Sequence, residues 1–555
     1  MPKAKSKAKK NTKYIFVVGG VLSGVGKGVT TASIGRILLS KGYNVSCIKV
    51  DPYVNVDAGT MNPVEHGEVF VTEDGDETDM DIGNYERFLN KNIYRVNYMT
   101  TGRVYQSVIQ KERNLEYGGK CVQVVPHVPQ EIRRRIDEAV KKTKSDIMII
   151  EVGGTAGEYE NLLFLEAARF LHLEHPEDVQ FVMVSYLPIP AKLGEMKTKP
   201  TQHAVRNLNA AGIQPDFIIA RSRVAVDKPR RKKIAIHCNV KQDDVISAPD
   251  IDTIYEVPAN FEKHEFGNRI LEKFGLPKKK SELADWNKMV SGMKKPSKKV
   301  KIGIVGKYFE TGDFCLADSY VSVIEAIRHA CVVNKCQPEF EWIYTQDIEK
   351  KGASQLKKYD GIIVPQGWGS RGSEGKIKTI KYCREKGLPY FGLCYGMQMA
   401  VIEFARNACD MKGANSEEVD PKTPYPVIHI MPEQKKLIEK KQYGGTIRLG
   451  GWPCKIISGT HLAKAYKKYT NKTTLSERHR HRYEFNNEYR EEFEKNGMTI
   501  AGTSPDGHIV EAVEITDHPF FIGTQFHPEY ISRPLDPHPL FVEFVRVCKK
   551  ESEKK

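Results

Sequence analysis

The sequence predicts two α/β domains, each built on a doubly wound parallel sheet. In both halves of the chain, short apolar runs alternate with stretches of helical periodicity, which is typical of parallel sheets. The length of 555 residues also exceeds the roughly 300 residues that one hydrophobic core usually spans. No repeat relates the two halves, so we expect two domains of different origin.

The predicted strands follow from the apolar runs. In the first half they are residues 14–18, 44–50, 147–150, 181–186 and 217–220, and in the second half 301–306, 361–364, 389–392 and 520–523. A lysine-rich stretch with Pro277 and Pro296 separates the two series. We therefore predict a lysine-rich tail at 1–12, a first domain at 13–275, a linker at 276–299, a second domain at 300–547 and a charged tail at 548–555.

Composition excludes several classes of protein. No window approaches the roughly 18 apolar residues of a membrane helix, and the short apolar run after the basic N-terminus is not read as a signal peptide. The net charge of +15 is concentrated in the tail and the linker, so neither a membrane nor a nucleic acid is an expected partner. The 11 cysteines include no C-x-x-C pair, which favours a reduced, cytoplasmic protein.

A glycine-rich loop, Gly19–Gly28, follows the first predicted strand and opens a helix over residues 30–40. This order is typical of a phosphate-binding loop, because backbone N–H groups and the helix N-terminus both face the anion. Lys27 is the cation expected to reach the terminal phosphates. Five residues separate Gly20 from Gly26, one more than in the usual motif. The alternative is a glycine-rich turn that binds no ligand.

The loop also lacks the hydroxyl that usually holds magnesium, since Gly28 stands in that place. A metal would need carboxylates from elsewhere. Asp81 follows an acidic run, and Glu151 is predicted just past the strand 147–150, where ligands of open α/β sheets bind. Together they could hold Mg²⁺, although a solvated acidic loop is the alternative for Asp81.

Two further basic groups lie at predicted sheet edges. Lys49 ends the second predicted strand, where it is placed to neutralise transferring phosphate. The run Lys197–Gln202 is a compact cluster of donors suited to a second polyphosphate. A lysine extending to solvent and a plain turn are the respective alternatives.

The second half carries a Gly-x-Cys-x-Gly motif around Cys394, between a predicted strand and a helix. Such a turn exposes the sulfur at a helix N-terminus, which favours the thiolate. His527 would serve as the base and Glu529 would orient it. The loop Pro365–Gly369 follows another strand and could offer backbone N–H groups to an oxyanion. The alternative is a structural cysteine and an unrelated surface histidine.

Taken together, these motifs resemble the CTP synthase family over residues 13–547. The matching blocks are 49–53, 55–57, 66–75, 197–202, 392–398, 478–484 and 525–529. The resemblance implies a P-loop amidoligase (synthetase) domain followed by a flavodoxin-like class I glutamine amidotransferase domain. It further implies a ligase of pyrimidine biosynthesis, in which ATP phosphorylates O4 of UTP and ammonia from glutamine displaces the phosphate to give CTP.

The resemblance also implies ligands and site residues. It implies Mg²⁺, GTP as an allosteric activator, CTP as an inhibitor, and a homotetramer that could form filaments. The implied ATP residues are Gly24, Val25, Gly26, Lys27, Gly28, Val29, Lys49 and Asp81, with Asp81 and Glu151 on the metal. The implied UTP and CTP residues are Ser23, Glu158, Tyr159, Glu160, Lys197, Thr198, Lys199, Pro200, Thr201, Gln202 and Lys233.

In the second domain the resemblance makes Cys394 the nucleophile, His527 the base and Glu529 its orienting partner. The implied glutamine residues are Gly367, Leu393, Cys394, Tyr395, Gly396, Met397, Gln398, Glu418 and Arg480. The implied ammonia passage is Pro63, His66 and Val69, and the loop 444–450 resembles a lid linked to activation by GTP.

Two residues depart from the family pattern. Gln366 replaces a glycine beside the predicted oxyanion loop, and Trp368 replaces a phenylalanine near the predicted GTP site. Two other functions stay open at this point: a different P-loop amidoligase, such as a dethiobiotin synthetase relative, and a non-catalytic nucleotide-sensing filament protein. The cluster Lys197–Gln202 argues against the first, and the intact Cys394, His527 and Glu529 argue against the second.

Overall fold

The computed structural model describes residues 11–295, 297–307, 310–311, 314–315, 317–432, 434–435 and 444–555. Most of the predicted tail at 1–12 therefore lies outside the described residues. The chain divides into two compact units. One joins the described residues up to Asp57 with Asn84–Val290, and the other joins Ala58–Gly83 with Ser291–Lys555.

Strands and helices alternate along most of the chain. The strands are β1 Lys13–Gly20, β2 Val45–Asp51, β3 Phe70–Val71, β4 Glu77–Thr78, β5 Tyr98–Thr100, β6 Ile147–Val152, β7 Val179–Tyr186, β8 Phe217–Ser222, β9 Val245–Pro249, β10 Lys299–Gly306, β11 Glu310–Thr311, β12 Phe314–Cys315, β13 Gln337–Tyr344, β14 Gly361–Val364, β15 Tyr390–Leu393, β16 Asn415–Ser416, β17 Pro426–Ile430, β18 Arg448–Ile456, β19 Thr474–His481, β20 Tyr483–Phe485, β21 Thr499–Thr503, β22 Val510–Glu514 and β23 Phe521–Thr524. The helices are α1 Lys27–Ser40, α2 Pro63–His66, α3 Asp81–Leu89, α4 Thr101–Arg113, α5 Val124–Thr143, α6 Leu162–Glu174, α7 Lys199–Ala210, α8 Lys228–Cys238, α9 Val257–Glu262, α10 Phe266–Lys273, α11 Ala284–Lys294, α12 Val321–Asn334, α13 Thr345–Lys351, α14 Ser373–Lys386, α15 Tyr395–Asn407, α16 His461–Lys467, α17 Arg490–Lys495 and α18 Pro539–Lys554. Among the described residues, no helix is both long and apolar enough to cross a membrane.

The sheet of the first unit has the strand order β5-β2-β6-β1-β7-β8-β9, and every neighbouring pair is parallel. Helices cover the strands, so that Phe16, Ile150 and Met183 lie in a fully buried core. Burial on both faces explains why the strands read as nearly continuous apolar runs. The phosphate loop and Lys49 both lie at the carboxyl ends of these strands.

The sheet of the second unit has the order β13-β10-β14-β15-β23-β22-β21-β18-β19. The first five strands in this order, β13, β10, β14, β15 and β23, form parallel pairs. The strands β22, β21, β18 and β19 extend the sheet in antiparallel pairs. Strands β15 and β23 are neighbours, so the residues that follow them come together at one edge. The predicted fold class, two doubly wound α/β domains, is confirmed.

Two local expectations are corrected. Glu151 does not follow its strand, because β6 continues to Val152 and pairs Glu151 with Lys49 of β2. The stretch predicted as a linker contains the helix α11, and Trp286 on it is fully buried. The Trp286 Nε1 donates to the carbonyl of Tyr255 at 2.7 Å, which anchors the helix in the first unit although its lysines are exposed.

Ala58–Gly83, which we call the inserted segment, groups with the second unit although it lies within the sequence range predicted for the first domain. The backbone N–H of Gly451 donates to the carbonyl of Glu73 at 2.9 Å. The backbone N–H of Ser322 donates to the buried carboxylate of Glu68 at 3.1 Å. Contacts over such sequence separations leave no local pattern, which is why the sequence did not indicate this grouping. The domain boundaries given by the sequence analysis stay a prediction.

Candidate active sites

The Lys27 side chain lies between Gly19 of the phosphate loop and the carbonyl of Gly154. Gly24 and Gly26 have φ angles of +71° and +86°, which only glycine adopts readily. Lys27 is buried, and its Nζ donates to the carbonyl of Gly154 at 2.9 Å. A Cβ on Gly19 would lie 2.8 Å from that ammonium group. The backbone therefore closes tightly around one cation at the start of α1, as a polyphosphate site requires.

A buried group of polar side chains lies beside the loop, at the ends of β2 and β6. The Nζ of Lys49 is 3.4 Å from Oε1 of Glu151 and 3.5 Å from Oδ1 of Asp51. The Tyr85 hydroxyl donates to the other oxygen of Glu151. These carboxylate oxygens are the ligands that Mg²⁺ prefers, so the residues present fit a magnesium ion. Asp81 is half-buried at the start of α3, and its pairing with Glu151 on a metal stays a prediction.

A cavity of about 190 Å³ opens next to the start of α1. It is lined by Gly26, Val29, Thr30, Arg221, Ala248, Pro249, Asp250, Ile251, Ile254, Val257, Asn260 and Phe261. Arg221 pairs with Asp250 at 3.2 Å on one side, and the remaining side chains are apolar apart from those of Thr30 and Asn260. Gly26 and Val29 belong to the implied ATP residues, and sequence reasoning missed the other lining residues. The available signal was Asp250, a carboxylate directly after the unrecognised strand β9.

The predicted UTP cluster surrounds the start of α7. Thr198, Thr201 and Gln202 are buried, and the Oε1 atom of Gln202 has no hydrogen-bond partner among the described residues. An unpaired buried oxygen is costly unless a ligand meets it. Lys197 forms an ion pair with Glu195 at 2.7 Å. The exposed members of the predicted set are Ser23, Glu158, Tyr159, Glu160, Lys199 and Lys233, and Pro200 is half-buried.

Cys394 stands between β15 and α15 in a strained conformation, with a φ of +50° and a ψ of −99°. Its backbone N–H donates to the carbonyl of Thr524 at 2.6 Å, which ties the turn to β23. A Cβ on Gly396 would come within 2.1 Å of the carbonyl of Val364, so a side chain does not fit there. The two flanking glycines thus permit the turn that places the sulfur at the helix N-terminus.

The structure brings His527 and Glu529 to the same edge. Nδ1 of His527 lies 2.7 Å from Oε1 of Glu529, and both side chains are buried. Burial alone lowers the pKa of His527, but the charges of Glu529 and Cys394 outweigh it and raise the pKa to about 10. Nε2 of His527 makes no hydrogen bond of ordinary geometry with any described residue. That atom is available for a proton passed to or from the reacting sulfur.

Two lysines that sequence reasoning missed donate hydrogen bonds to backbone carbonyls in and next to the predicted oxyanion loop. Lys376 is fully buried, and its Nζ donates to the carbonyl of Pro365 at 2.9 Å. The Lys307 Nζ donates to the carbonyls of Gly369 and Arg371, each at 3.1 Å. Burial lowers the pKa of Lys307 to about 8. The available signal for Lys376 was its helical spacing. It lies three positions before Thr379 and seven before Cys383, both buried on the same helix.

Other predicted glutamine residues line the same region. Leu393, Tyr395 and Met397 are buried around the cysteine turn. The Gln398 Nε2 donates to the carbonyl of Tyr483 at 3.0 Å. The backbone N–H of Gly369 donates to Glu418 at 2.7 Å, and burial raises the pKa of this carboxyl.

Arg480 contacts both the inserted segment and the predicted oxyanion loop. Its Nε donates to Oε1 of Glu77, on the inserted segment, at 2.8 Å. Its guanidinium lies 5.4 Å from the ring centre of Trp368, one of the two departures from the family pattern. At the other departure, the carbonyl of Gln366 accepts a hydrogen bond from the Tyr320 hydroxyl at 3.4 Å.

The predicted ammonia residues lie on the inserted segment. Pro63 and His66 are half-buried at the two ends of the short helix α2. Nε2 of His66 lies 3.6 Å from a carboxylate oxygen of Asp79. Val69 is buried, and its carbonyl accepts a hydrogen bond from the Tyr530 hydroxyl at 3.0 Å.

A thiol site with a histidine and a glutamate in one unit, and a phosphate-binding loop in the other, define a glutamine amidotransferase joined to a nucleotide-using ligase. Comparison with known families agrees with this class. Residues 13–276 match the family model described as CTP synthase N-terminus, and residues 315–547 match the model described as glutamine amidotransferase class-I. The chain belongs to the CTP synthase family.

Individual relatives show the same extent of similarity. The CTP synthase of Caldanaerobacter subterraneus subsp. tengcongensis is 49% identical, with 96% of this chain and 98% of the relative covered. The CTP synthase of Pyrococcus abyssi is 49% identical, with 98% and 99% covered. Among solved structures, the glutaminase domain of Trypanosoma brucei CTPS with bound acivicin matches at 34% identity and a TM-score of 0.41, over 45% of this chain and 94% of that one.

Proposed function

We propose that this protein converts UTP to CTP, using ATP and the nitrogen of glutamine. The observation that carries the proposal is the presence, in one chain, of the complete arrangement of Cys394, His527 and Glu529 together with a phosphate loop closed around Lys27. Family membership over nearly the whole chain supports the same reaction. A different amidoligase or a non-catalytic sensor would not need both sites.

In the glutamine half-reaction, we propose that the Cys394 thiolate attacks the side-chain amide carbon of glutamine. The C–N bond breaks as His527 delivers a proton to the departing nitrogen, which gives ammonia and a glutamyl thioester. Water then hydrolyses the thioester, with His527 accepting a proton, and glutamate leaves. The N–H of Gly367 would stabilise the oxyanion, while Glu418 and Arg480 would bind the amino acid ends of the substrate.

In the ligase half-reaction, we propose that O4 of the UTP ring attacks the γ-phosphorus of ATP. This bond formation releases ADP and leaves a 4-phosphorylated uracil. Phosphorylation is needed because O4 is otherwise a poor leaving group. Ammonia then attacks C4, and phosphate departs to give CTP. Lys27 and Lys49 would stabilise the charge on the transferring group. Asp81 and Glu151 would hold Mg²⁺, which neutralises the nucleotide phosphates when it is bound.

We also propose positions for the two nucleotides. The cavity beside Val29, with Arg221 and Asp250 on one side, has largely apolar walls suited to the base of ATP. The unpaired Oε1 of Gln202 and the lysines of the cluster 197–202 suit the phosphates and sugar of UTP. The family further leads us to propose GTP as an activator, CTP as an inhibitor, a homotetramer and a cytoplasmic location.

The proposal is tested by following the absorbance change as UTP becomes CTP, with ATP and magnesium present. The nitrogen source is glutamine in one set of assays and ammonium in the other, each with and without GTP. We expect both sources to support CTP formation and GTP to accelerate only the glutamine reaction. A purified protein that leaves UTP unchanged with abundant ammonium would refute the proposal.

A further inference from the structure

The alternating arginines and histidines at 478–481 in β19 have a structural role that the proposed function does not explain. Side chains of a strand point alternately to opposite faces. His479 and His481 are buried on one face, with Nδ1 of the first 3.1 Å from Nε2 of the second. Arg478 and Arg480 lie on the other face, where both contact the inserted segment.

Those contacts join the inserted segment to the glutamine site. Nη1 of Arg478 donates to the carbonyl of Val71 at 3.1 Å. Nε of Arg480 donates to Glu77 at 2.8 Å. Since β3 and β4 pair through Val71 and Glu77, the two arginines hold both strands of this small hairpin. The inserted segment, which carries the predicted ammonia passage, is therefore fixed to β19, which carries the predicted glutamine-binding residue Arg480.

Tyr530 provides a third connection, and it reaches the catalytic histidine. Its ring stacks on the imidazole of His527, with ring centres 4.9 Å apart and planes 12° from parallel. Its hydroxyl donates to the carbonyl of Val69 at 3.0 Å, and its ring lies edge-on to Phe70 at 5.2 Å. The side chain is 2% exposed. One buried side chain thus contacts the proposed base and the backbone of the predicted passage.

We propose that Tyr530 is a positioning residue that couples glutamine hydrolysis to ammonia transfer, by holding Val69 in place against the His527 side of the site. The proposal rests on the proposed function. Ammonia released beside Cys394 must enter an enclosed route before it is protonated in bulk water. A hydrogen bond that fixes the wall of this route affects where the nitrogen goes, more than how fast the amide bond breaks.

The test is Tyr530→Phe, which removes the hydroxyl and keeps the ring stacked on His527. Glutamate and CTP are measured in the same assay, and CTP formation from ammonium is measured separately. We expect the ratio of CTP to glutamate to fall by about two- to tenfold, the range that the loss of one hydrogen bond produces. Glutamine hydrolysis and the ammonium reaction should keep rates close to wild type.

The matched control is Tyr466→Phe. It removes another buried tyrosine hydroxyl of the second unit, which donates to Glu477 at 2.5 Å and touches none of the proposed catalytic groups. Its CTP-to-glutamate ratio should equal that of the wild type. Hydrogen–deuterium exchange of amides 68–72 should accelerate in the Tyr530 variant and stay unchanged in the control.

The outcomes separate this proposal from the proposed function. An unchanged ratio in Tyr530→Phe overturns the coupling role. So does a joint loss of the thermal transition, glutamine hydrolysis and the ammonium reaction, because the hydroxyl then serves only stability. A wild-type protein that makes no CTP from ammonium rejects the proposed function itself, before any variant is compared.

Discussion

Nδ1 of His527 lies 2.7 Å from Oε1 of Glu529, in a place where both side chains are shielded from water. In such surroundings a carboxylate strongly favours the protonated imidazole. The pKa of His527 is accordingly raised to about 10, although burial alone would lower it. The stabilisation from this pairing is fully present below the ordinary histidine pKa of about 6.5 and is lost as the pH rises through about 10.

Glu529→Gln keeps the shape of the side chain and removes its charge. The pKa of His527 should then fall toward its ordinary range, so the alkaline limit of glutamine hydrolysis should move to lower pH. We expect the rate at neutral pH to drop by about 10²-fold, as when a general acid–base group is impaired. The pH profile of glutamate release measures both effects. An alkaline limit at the wild-type position would contradict the assigned pairing, and the ammonium reaction of the same variant serves as the control.

Lys27→Met should affect the other half-reaction. Its ammonium group is buried next to Gly19 of the phosphate loop and donates to the carbonyl of Gly154 at 2.9 Å. Removing a preorganised cation from a phosphoryl-transfer site costs about 10²-fold or more in rate. CTP formation should fall by this factor with both glutamine and ammonium, whereas glutamine hydrolysis without UTP should persist. Normal CTP formation from ammonium would show that ATP does not use this loop.

Lys376→Met tests the support behind the oxyanion loop. The fully buried ammonium holds the carbonyl of Pro365 at 2.9 Å, two residues before Gly367. Without it, the Gly367 N–H should be less well aligned, and we expect kcat for glutamine hydrolysis to fall by about tenfold with a smaller change in KM. The matched control is Lys378→Met, an exposed lysine of the same helix. A variant with unchanged kcat would remove Lys376 from this role.

Local patterns were sufficient for part of the account. The strand–loop–helix at Lys27 and the glycine-flanked turn at Cys394 are each encoded within one continuous stretch of sequence, and the structure contains both where they were predicted. The strand that contains Glu151 was predicted too short, because Glu151 interrupts the apolar run although it and Val152 still pair with β2. Partners in a sheet, which decide where a strand ends, are not visible in the local sequence.

The rest depends on residues that are distant in the sequence. The inserted segment joins the second unit through single contacts such as Arg478 with Val71, more than 400 positions away. Lys307 and Lys376 support the oxyanion loop through backbone carbonyls, which carry no side-chain signature. The cavity beside Val29 is built from three separate stretches of chain, residues 26–30, 221 and 248–261. Such features follow from tertiary packing, and the local sequence gives only partial signals for them, such as the helical spacing of Lys376 and the position of Asp250 directly after β9.

The most direct measurement is CTP formation by Cys394→Ala, with ammonium and with glutamine as the nitrogen source. Alanine at this position keeps the backbone conformation under the same strain and removes only the sulfur. We predict wild-type rates of CTP formation from ammonium and none from glutamine, because the second unit supplies ammonia and the first unit uses it. Loss of CTP formation from both nitrogen sources, in a variant that retains the wild-type thermal transition, would contradict the account.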